Sequence, residues 1–142
     1  MEFSQDKVRK ITSEIFLSLE RLEDLKALYR DEFLSDQHRI GSAKYNLIVA
    51  IEGMIYLCNH VIARNGFRTP EDYADTFKVM AEKGAFSEEF TATLIQMARF
   101  RNRLVHIYWE VDDDELYRII EIRLPDIKTF IENFGRFIGK QK

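Results

Sequence analysis

The densest chemistry in this chain lies at Arg99-Phe100-Arg101-Asn102-Arg103-Leu104-Val105-His106-Ile107-Tyr108, three arginines within five positions followed by a histidine and a tyrosine. Arginine grips a phosphate through two parallel N–H donors and stabilises charge that builds on it. Histidine titrates near neutrality and serves as acid or base. The set suits phosphate chemistry. On a helix Arg99, Arg103 and His106 project together at i, i+4, i+7, and Asn102 and His106 at i, i+4. Arg101 and Tyr108 share another side at i, i+7. Arg101 and His106 stand about 140° apart at ~100° per residue. One copy therefore places them poorly around a single ligand, unless the last turn unwinds or a second subunit contributes. The plainer account of the same residues is a solvated helix terminus whose basic side chains complement the dipole and which His106 caps.

The elements that must carry this cluster are helices. The 142 residues are 46% hydrophobic and 32% charged with six glycines and two prolines, which fits one helical domain and fits disorder or a loop-rich all-β fold badly. Val8, Ile11, Ile15, Leu19, Leu22 and Leu25 recur at helical spacing and predict a first helix over about 6 to 31. Ser35 or Asp36 can cap a second, apolar almost all round from Tyr45 onward, hence central or buried on two sides, and stopped by Asn65-Gly66. Thr69-Pro70-Glu71-Asp72 reads as the start of a short helix, with a threonine cap and proline at the first helical position, ending at Lys83-Gly84. Ser87-Glu88-Glu89 opens the helix that bears the cluster. After the acidic turn Asp112 to Glu115, a last helix keeps its period from Leu116 to Ile138 through Pro125, where a kink is expected. Four long helices and one short one predict an all-α, up-and-down four-helix bundle.

Other chemistries lack their residues. His38, His60 and His106 have no acidic residue three positions upstream, so the Glu-x-x-His pairs of dimetal bundles are missing, and one cysteine is too few for a zinc site. No metal or cofactor is expected. Glycine-rich phosphate loops and nucleophile elbows are absent from the sequence. A net charge of -3 argues against a polycationic coat for DNA. The single Cys58, a start without an apolar signal segment, and an apolar run Tyr45 to Asn59 shorter than the ~20 residues of a membrane span predict a soluble, cytoplasmic protein. Glu52, Tyr56 and His60 form a polar stripe at i, i+4, i+8 on the second helix that either lines a cleft or meets solvent. Trp109 and the acidic run Asp112 to Glu115 offer either a partner contact or an ordinary helix start.

Arg101-x4-His106-x-Tyr108 resembles the motif of the HEPN superfamily, and specifically of its HepT-like branch, the toxins of HepT/MntA toxin–antitoxin pairs. Tyr45-x-Leu47-x3-Ala50-Ile51-Glu52, Asn59-His60-Val61-Ile62, Pro70-x2-Tyr73-Ala74-x2-Phe77 and Met97 to His106 resemble that family in order and spacing. The likeness spans about residues 5 to 138 and implies a single HEPN domain over 1–142.

The resemblance implies a metal-independent endoribonuclease acting as a homodimer, with two motifs facing each other across the subunit interface. Arg101 would hold the scissile phosphate, His106 would move protons at the 2′-OH or the leaving 5′-oxygen, and Asn102 would orient the histidine or the phosphate. The products would be a 2′,3′-cyclic phosphate and a 5′-hydroxyl. Arg99 and Arg103 either widen the RNA-binding patch or are solvated charges. Tyr108 would be adenylylated by an MntA-like nucleotidyltransferase antitoxin, which blocks the site. The RNA substrate would be tRNA or mRNA. The competing expectation is a non-catalytic HEPN partner or substrate-binding subunit of such a nucleotidyltransferase.

Overall fold

The structure, a computed structural model, describes residues 1–140. Its order is α1 (Gln5–Lys26), α2 (Arg30–Leu34), α3 (Gln37–Arg64), α4 (Tyr73–Glu82), α5 (Glu88–His106), a 3₁₀ turn (Tyr108–Glu110) and α6 (Asp113–Lys140). The chain is helical as expected, with α3 at the centre touching α1, α2, α4, α5 and α6. Its near-continuous apolarity follows from that position: Leu47, Ala50, Ile51, Met54, Ile55, Leu57, Cys58 and Val61 are all buried against neighbours on several sides. By length and composition α3 contains a stretch apolar enough to cross a membrane, though more than half of that stretch is buried inside the bundle. The shorter run expected from Tyr45 to Asn59 therefore understates this helix. What consumes its apolar surface is the core of the bundle.

α1 and α3 approach closely at Gly53, where an added Cβ would fall 2.7 Å from Cγ1 of the fully buried Ile15. α3 and α5 run antiparallel, since Glu52 meets Arg101 and Lys44, eight residues earlier, meets Tyr108 after the end of α5. Phe77 of α4, Phe86 of the following turn and Phe130 of α6 meet with ring centroids 5.5–6.4 Å apart, closing the bundle on the other side.

Three boundaries differ from expectation. The first helix ends at Lys26, and the separate α2 buries Phe33 against the Tyr117 ring, 5.6 Å away. The break at 27–29 lets the chain reverse into α3, whose cap is Asp36. The short helix starts at Tyr73 with Asp72 as its cap, not at Pro70 with Thr69. The Asp72 carboxylate accepts the Asp75 N–H at 2.7 Å, and Asp75 in turn accepts the Glu71 N–H at 2.9 Å, which fixes the preceding segment outside the helix. Finally, α5 stops at His106, and Tyr108 lies in the 3₁₀ turn. Asn65-Gly66 and Lys83-Gly84 end their helices as expected, with Gly66 and Gly84 at φ 65° and 89°. α6 continues through Pro125.

Candidate functional site

The site is built along the seam between α3 and the C-terminal half of α5. Arg101 projects from α5 into this seam and is buried. Its Nε and Nη2 both donate to Oε1 of Glu52, at 3.1 and 2.5 Å, and its Nη1 donates to Oδ1 of Asn102 at 3.0 Å. The Tyr73 ring lies 4.9 Å from the guanidinium carbon. Every nitrogen of this guanidinium is thus oriented by a neighbour. Glu52 is itself half-exposed, so the pair borders solvent. Beside it, Glu52, Ile55, Tyr56, Asn59 and Tyr73 line a groove of about 240 Å³.

The polar stripe on α3 divides along its length. Glu52 and Tyr56 line the groove, whereas His60 faces the N-terminal segment: its Nε2 accepts the Ser4 N–H at 2.9 Å. The Tyr56 and His60 rings are parallel with centroids 6.5 Å apart. Burial, followed by the charges of Arg64 and Lys7, holds the His60 pKa below its ordinary value.

His106 is exposed at the last helical position, about 140° around α5 from Arg101 at ~100° per residue. Asn102 bonds to Arg101. Because the helix ends before Tyr108, the i, i+7 relation between Arg101 and Tyr108 expected from a continuous helix does not apply. Both nevertheless face α3, Arg101 at Glu52 and Tyr108 at Lys44, whose Nζ lies 4.1 Å from the tyrosine ring centre.

The flanking arginines separate. Arg99 is exposed and has no ion pair among the described residues. Arg103 binds Glu115 with two hydrogen bonds, at 2.6 and 2.9 Å, and lies 3.3 Å from Glu110. These carboxylates, Glu115 first, raise its pKa. Arg103 thereby ties the end of α5 to the 3₁₀ turn and to the start of α6. Asp112 caps α6 by accepting the Glu115 N–H at 2.7 Å, so the acidic run is used in helix initiation. Val105, Ile107, Tyr108 and Trp109 are all exposed, Trp109 by 83%, and form an uncovered apolar surface around His106.

Lys44 and Tyr73 are the site neighbours that the sequence reading passed over. Lys44 sits eight residues before Glu52 and so on the same stripe, a signal present in the spacing. Tyr73 comes from α4, and nothing local in the sequence indicates its contact.

A helical bundle that carries arginine and histidine at the end of one helix and tyrosine in the turn beyond it is the arrangement the sequence resemblance implies. The family model described as HepT-like, Ribonuclease HepT-like, matches residues 15–134, and the chain belongs to that family. The mRNA nuclease HepT of Shewanella oneidensis is 25% identical over 113 residues, which cover 78% of this chain and 85% of that protein. The tri-AMPylated HEPN toxin of Shewanella oneidensis, solved in complex with MNT antitoxin, superposes with a TM-score of 0.84 at 23% identity, covering 94% of this chain and 99% of that one. A cytosolic Bacillus subtilis protein of unknown function, YutE, has a TM-score of 0.81 at 18% identity, over 99% of this chain and 95% of its own. These two likenesses are of fold.

Proposed function

We propose that this protein is a cytosolic, metal-independent endoribonuclease toxin that works as a homodimer. The observation that carries the reading is the pairing of a fully oriented Arg101 with an exposed His106 inside an uncovered apolar surface, in a chain of the HepT-like family. A two-fold axis through that surface would bring Arg101 of one copy and His106 of the other toward one phosphate, answering the angular separation within a copy. Arg101 holds the scissile phosphate and, with Asn102 fixing its outer nitrogen, stabilises the charge of the transition state. His106 takes the proton of the ribose 2′-OH as that oxygen attacks phosphorus, or gives a proton to the 5′-oxygen as the P–O bond breaks. The products are a 2′,3′-cyclic phosphate and a 5′-hydroxyl, and DNA, lacking the 2′-OH, is not cleaved.

Tyr108 is the point of control. Its half-exposed phenol is open to a nucleotidyltransferase antitoxin, and the related toxin is tri-AMPylated. The phenolic oxygen attacks the α-phosphorus of ATP, pyrophosphate leaves with the bonding pair, and the phenolic proton passes to a base. The added phosphodiester carries negative charge and bulk to the site and competes with RNA.

The test compares wild type with His106→Ala on total tRNA and a defined mRNA in excess EDTA, after intact-mass confirmation that Tyr108 is unmodified and with separate controls that both proteins are folded dimers. Cleavage by wild type alone, with cyclic-phosphate ends, is expected. Absence of cleavage by both proteins would replace this reading with that of a non-catalytic partner subunit of the nucleotidyltransferase, for which the engagement of Arg101 by Glu52 is the favouring observation.

A further inference from the structure

Lys44 is only 7% exposed, yet among the described residues its ammonium pairs with no carboxylate. That is unusual at this end of the molecule. Arg101 is matched by Glu52, Arg103 by Glu115 and Glu110, and Arg30 by Asp114. Its stem is packed against the bundle while the ammonium, which is not among the fully enclosed polar atoms, reaches the surface and is open to an anion. The contact Lys44 does make is with the face of the Tyr108 ring, 4.1 Å from its centre. Tyr108 is half exposed and stands on a three-residue 3₁₀ turn, not within a helix. The ammonium is therefore held at the edge of the site, under a side chain that meets solvent.

Its position relative to Arg101 is set by the α3 helix. Lys44 and Glu52 are eight residues apart on one stripe, about 12 Å along the axis, and the antiparallel α5 places Tyr108 and Arg101 opposite them. The α3–α5 seam thus presents two cations in line, Arg101 paired with Glu52 and Lys44 with no carboxylate partner among the described residues. A polyanionic strand lying along this seam with one phosphate at Arg101 would pass a second phosphate close to Lys44, whose four-carbon stem lets the ammonium follow it.

We propose that Lys44 is a phosphate-binding residue of the RNA site, and that the phosphodiester attached to Tyr108 by adenylylation occupies this same ammonium and takes the subsite from RNA. The inference rests on the ribonuclease reading and gives it a physical mechanism of inhibition. Modification places a negative group on the side chain that covers Lys44, so one ion pair forms inside the protein at the expense of one with RNA.

The experiment measures fluorescence anisotropy of a labelled, mixed-sequence single-stranded oligoribonucleotide with the full-length protein across a salt series. All proteins carry His106→Ala so that the probe stays intact. Lys44→Met should weaken binding on the order of tenfold and reduce the slope of log affinity against log salt by about 0.7, the loss of one single-strand phosphate contact. Lys44→Arg should restore both, which a merely structural lysine would not require. On protein adenylylated at Tyr108, the Met variant should bind RNA no more weakly than its parent, because the ammonium is already occupied.

Unchanged affinity and slope for Lys44→Met would overturn the assignment, as would equal losses in the Met and Arg variants accompanied by a lower melting temperature. An undiminished Met effect on adenylylated protein would overturn the shared subsite. RNA binding by the His106→Ala protein together with no cleavage by wild type would refute the nuclease reading alone. Absence of any RNA binding would refute both.

Discussion

Glu52 holds Arg101 through a single oxygen: Oε1 accepts from both Nε and Nη2, while the remaining nitrogen of the guanidinium turns to Asn102. A buried arginine is thereby kept in one orientation by a half-exposed partner on the facing helix. Removing that partner leaves Nε and Nη2 of a buried guanidinium without their acceptor, which costs about 1–3 kcal/mol. Glu52→Ala should show a loss of that size in urea denaturation. On the proposed mechanism, in which Arg101 binds the scissile phosphate, it should also lower kcat for RNA cleavage by about 10- to 100-fold. Glu52→Gln, which keeps an acceptor at Oε1, should retain most of the stability. Full activity in Glu52→Ala would show that Arg101 needs no orientation from α3.

The neighbouring arginines should behave as two different kinds of residue. Arg103 links α5 to the 3₁₀ turn and α6 through Glu110 and Glu115. Arg103→Met should lower the melting temperature and accelerate hydrogen exchange at 107–112, and Arg103→Lys should restore little because an ammonium cannot reproduce the two-pronged contact with Glu115. Arg99→Met should leave stability within about 0.5 kcal/mol and reduce RNA binding instead. Equal exchange rates in the Arg103→Met and Arg99→Met proteins would refute the distinction.

These two arginines show where the sequence ran out. Periodicity identified the four long helices, the central place of α3 and the location of the motif, because burial acts on every third or fourth residue and leaves that record in the chain. Positions 99 and 103, one helical turn apart, look equivalent by spacing. They part only because α6 starts at residue 113 and brings Glu115 against one of them. The Tyr73 contact with Arg101 and the latch between Ser4 and His60 are long-range in the same sense. The cap of α4 departs from the sequence pattern for a local reason: Thr69-Pro70 satisfies the pattern of a helix start, but Asp75 is claimed by Arg68 and the Glu71 N–H, which places the first turn three residues later.

Gly53 should be intolerant of alanine although it lies within a helix. Losing glycine there favours the helix by roughly 1 kcal/mol. The new Cβ would fall 2.7 Å from Cγ1 of Ile15, near the base of a buried branched side chain, and such overpacking costs about 1–3 kcal/mol. The net expectation is destabilisation of about 1 kcal/mol, measured as a lower urea midpoint. Gly135, also helical but with open space at its Cβ position, should instead gain stability as alanine. Equal gains at both positions would mean that α1 and α3 can separate without loss.

The N-terminus should loosen on mild acidification. His60 accepts the Ser4 N–H at Nε2 and therefore needs that nitrogen unprotonated, while Asn65 holds Glu2 through two further hydrogen bonds. Its folded pKa lies below 6.5, chiefly through burial and then through Arg64 and Lys7. The unfolded chain thus binds the proton first. The contribution of His60 is complete above 6.5 and is lost as pH falls through the lowered folded value. Amide exchange at Ser4, corrected for its intrinsic pH dependence, should lose protection over that window, and His60→Ala should abolish the change. Constant protection would show that the latch is held by Asn65 alone.

A second acid transition should belong to Asp75. Its carboxylate receives Nη1 and Nη2 of Arg68 at 2.7 and 2.9 Å and the Glu71 N–H at 2.9 Å, and these donors, Arg68 first, lower its pKa from 3.8 to about 2. Here the folded protein holds the charged form more strongly than the unfolded chain does. The stabilisation is fully present above 3.8 and disappears as pH drops through about 2. Asp75→Asn should therefore be less stable than wild type at neutral pH and should flatten the fall of stability with acid below 3.8. The loss at His60 occurs at higher pH and should survive in Asp75→Asn, because the two groups act through different elements, the N-terminal segment and the entry to α4. Urea midpoints collected from neutral pH into this acid range, for wild type and both variants, would separate the two losses. Identical acid limbs for wild type and Asp75→Asn would show that the Arg68 pair forms no part of what holds α4 in place.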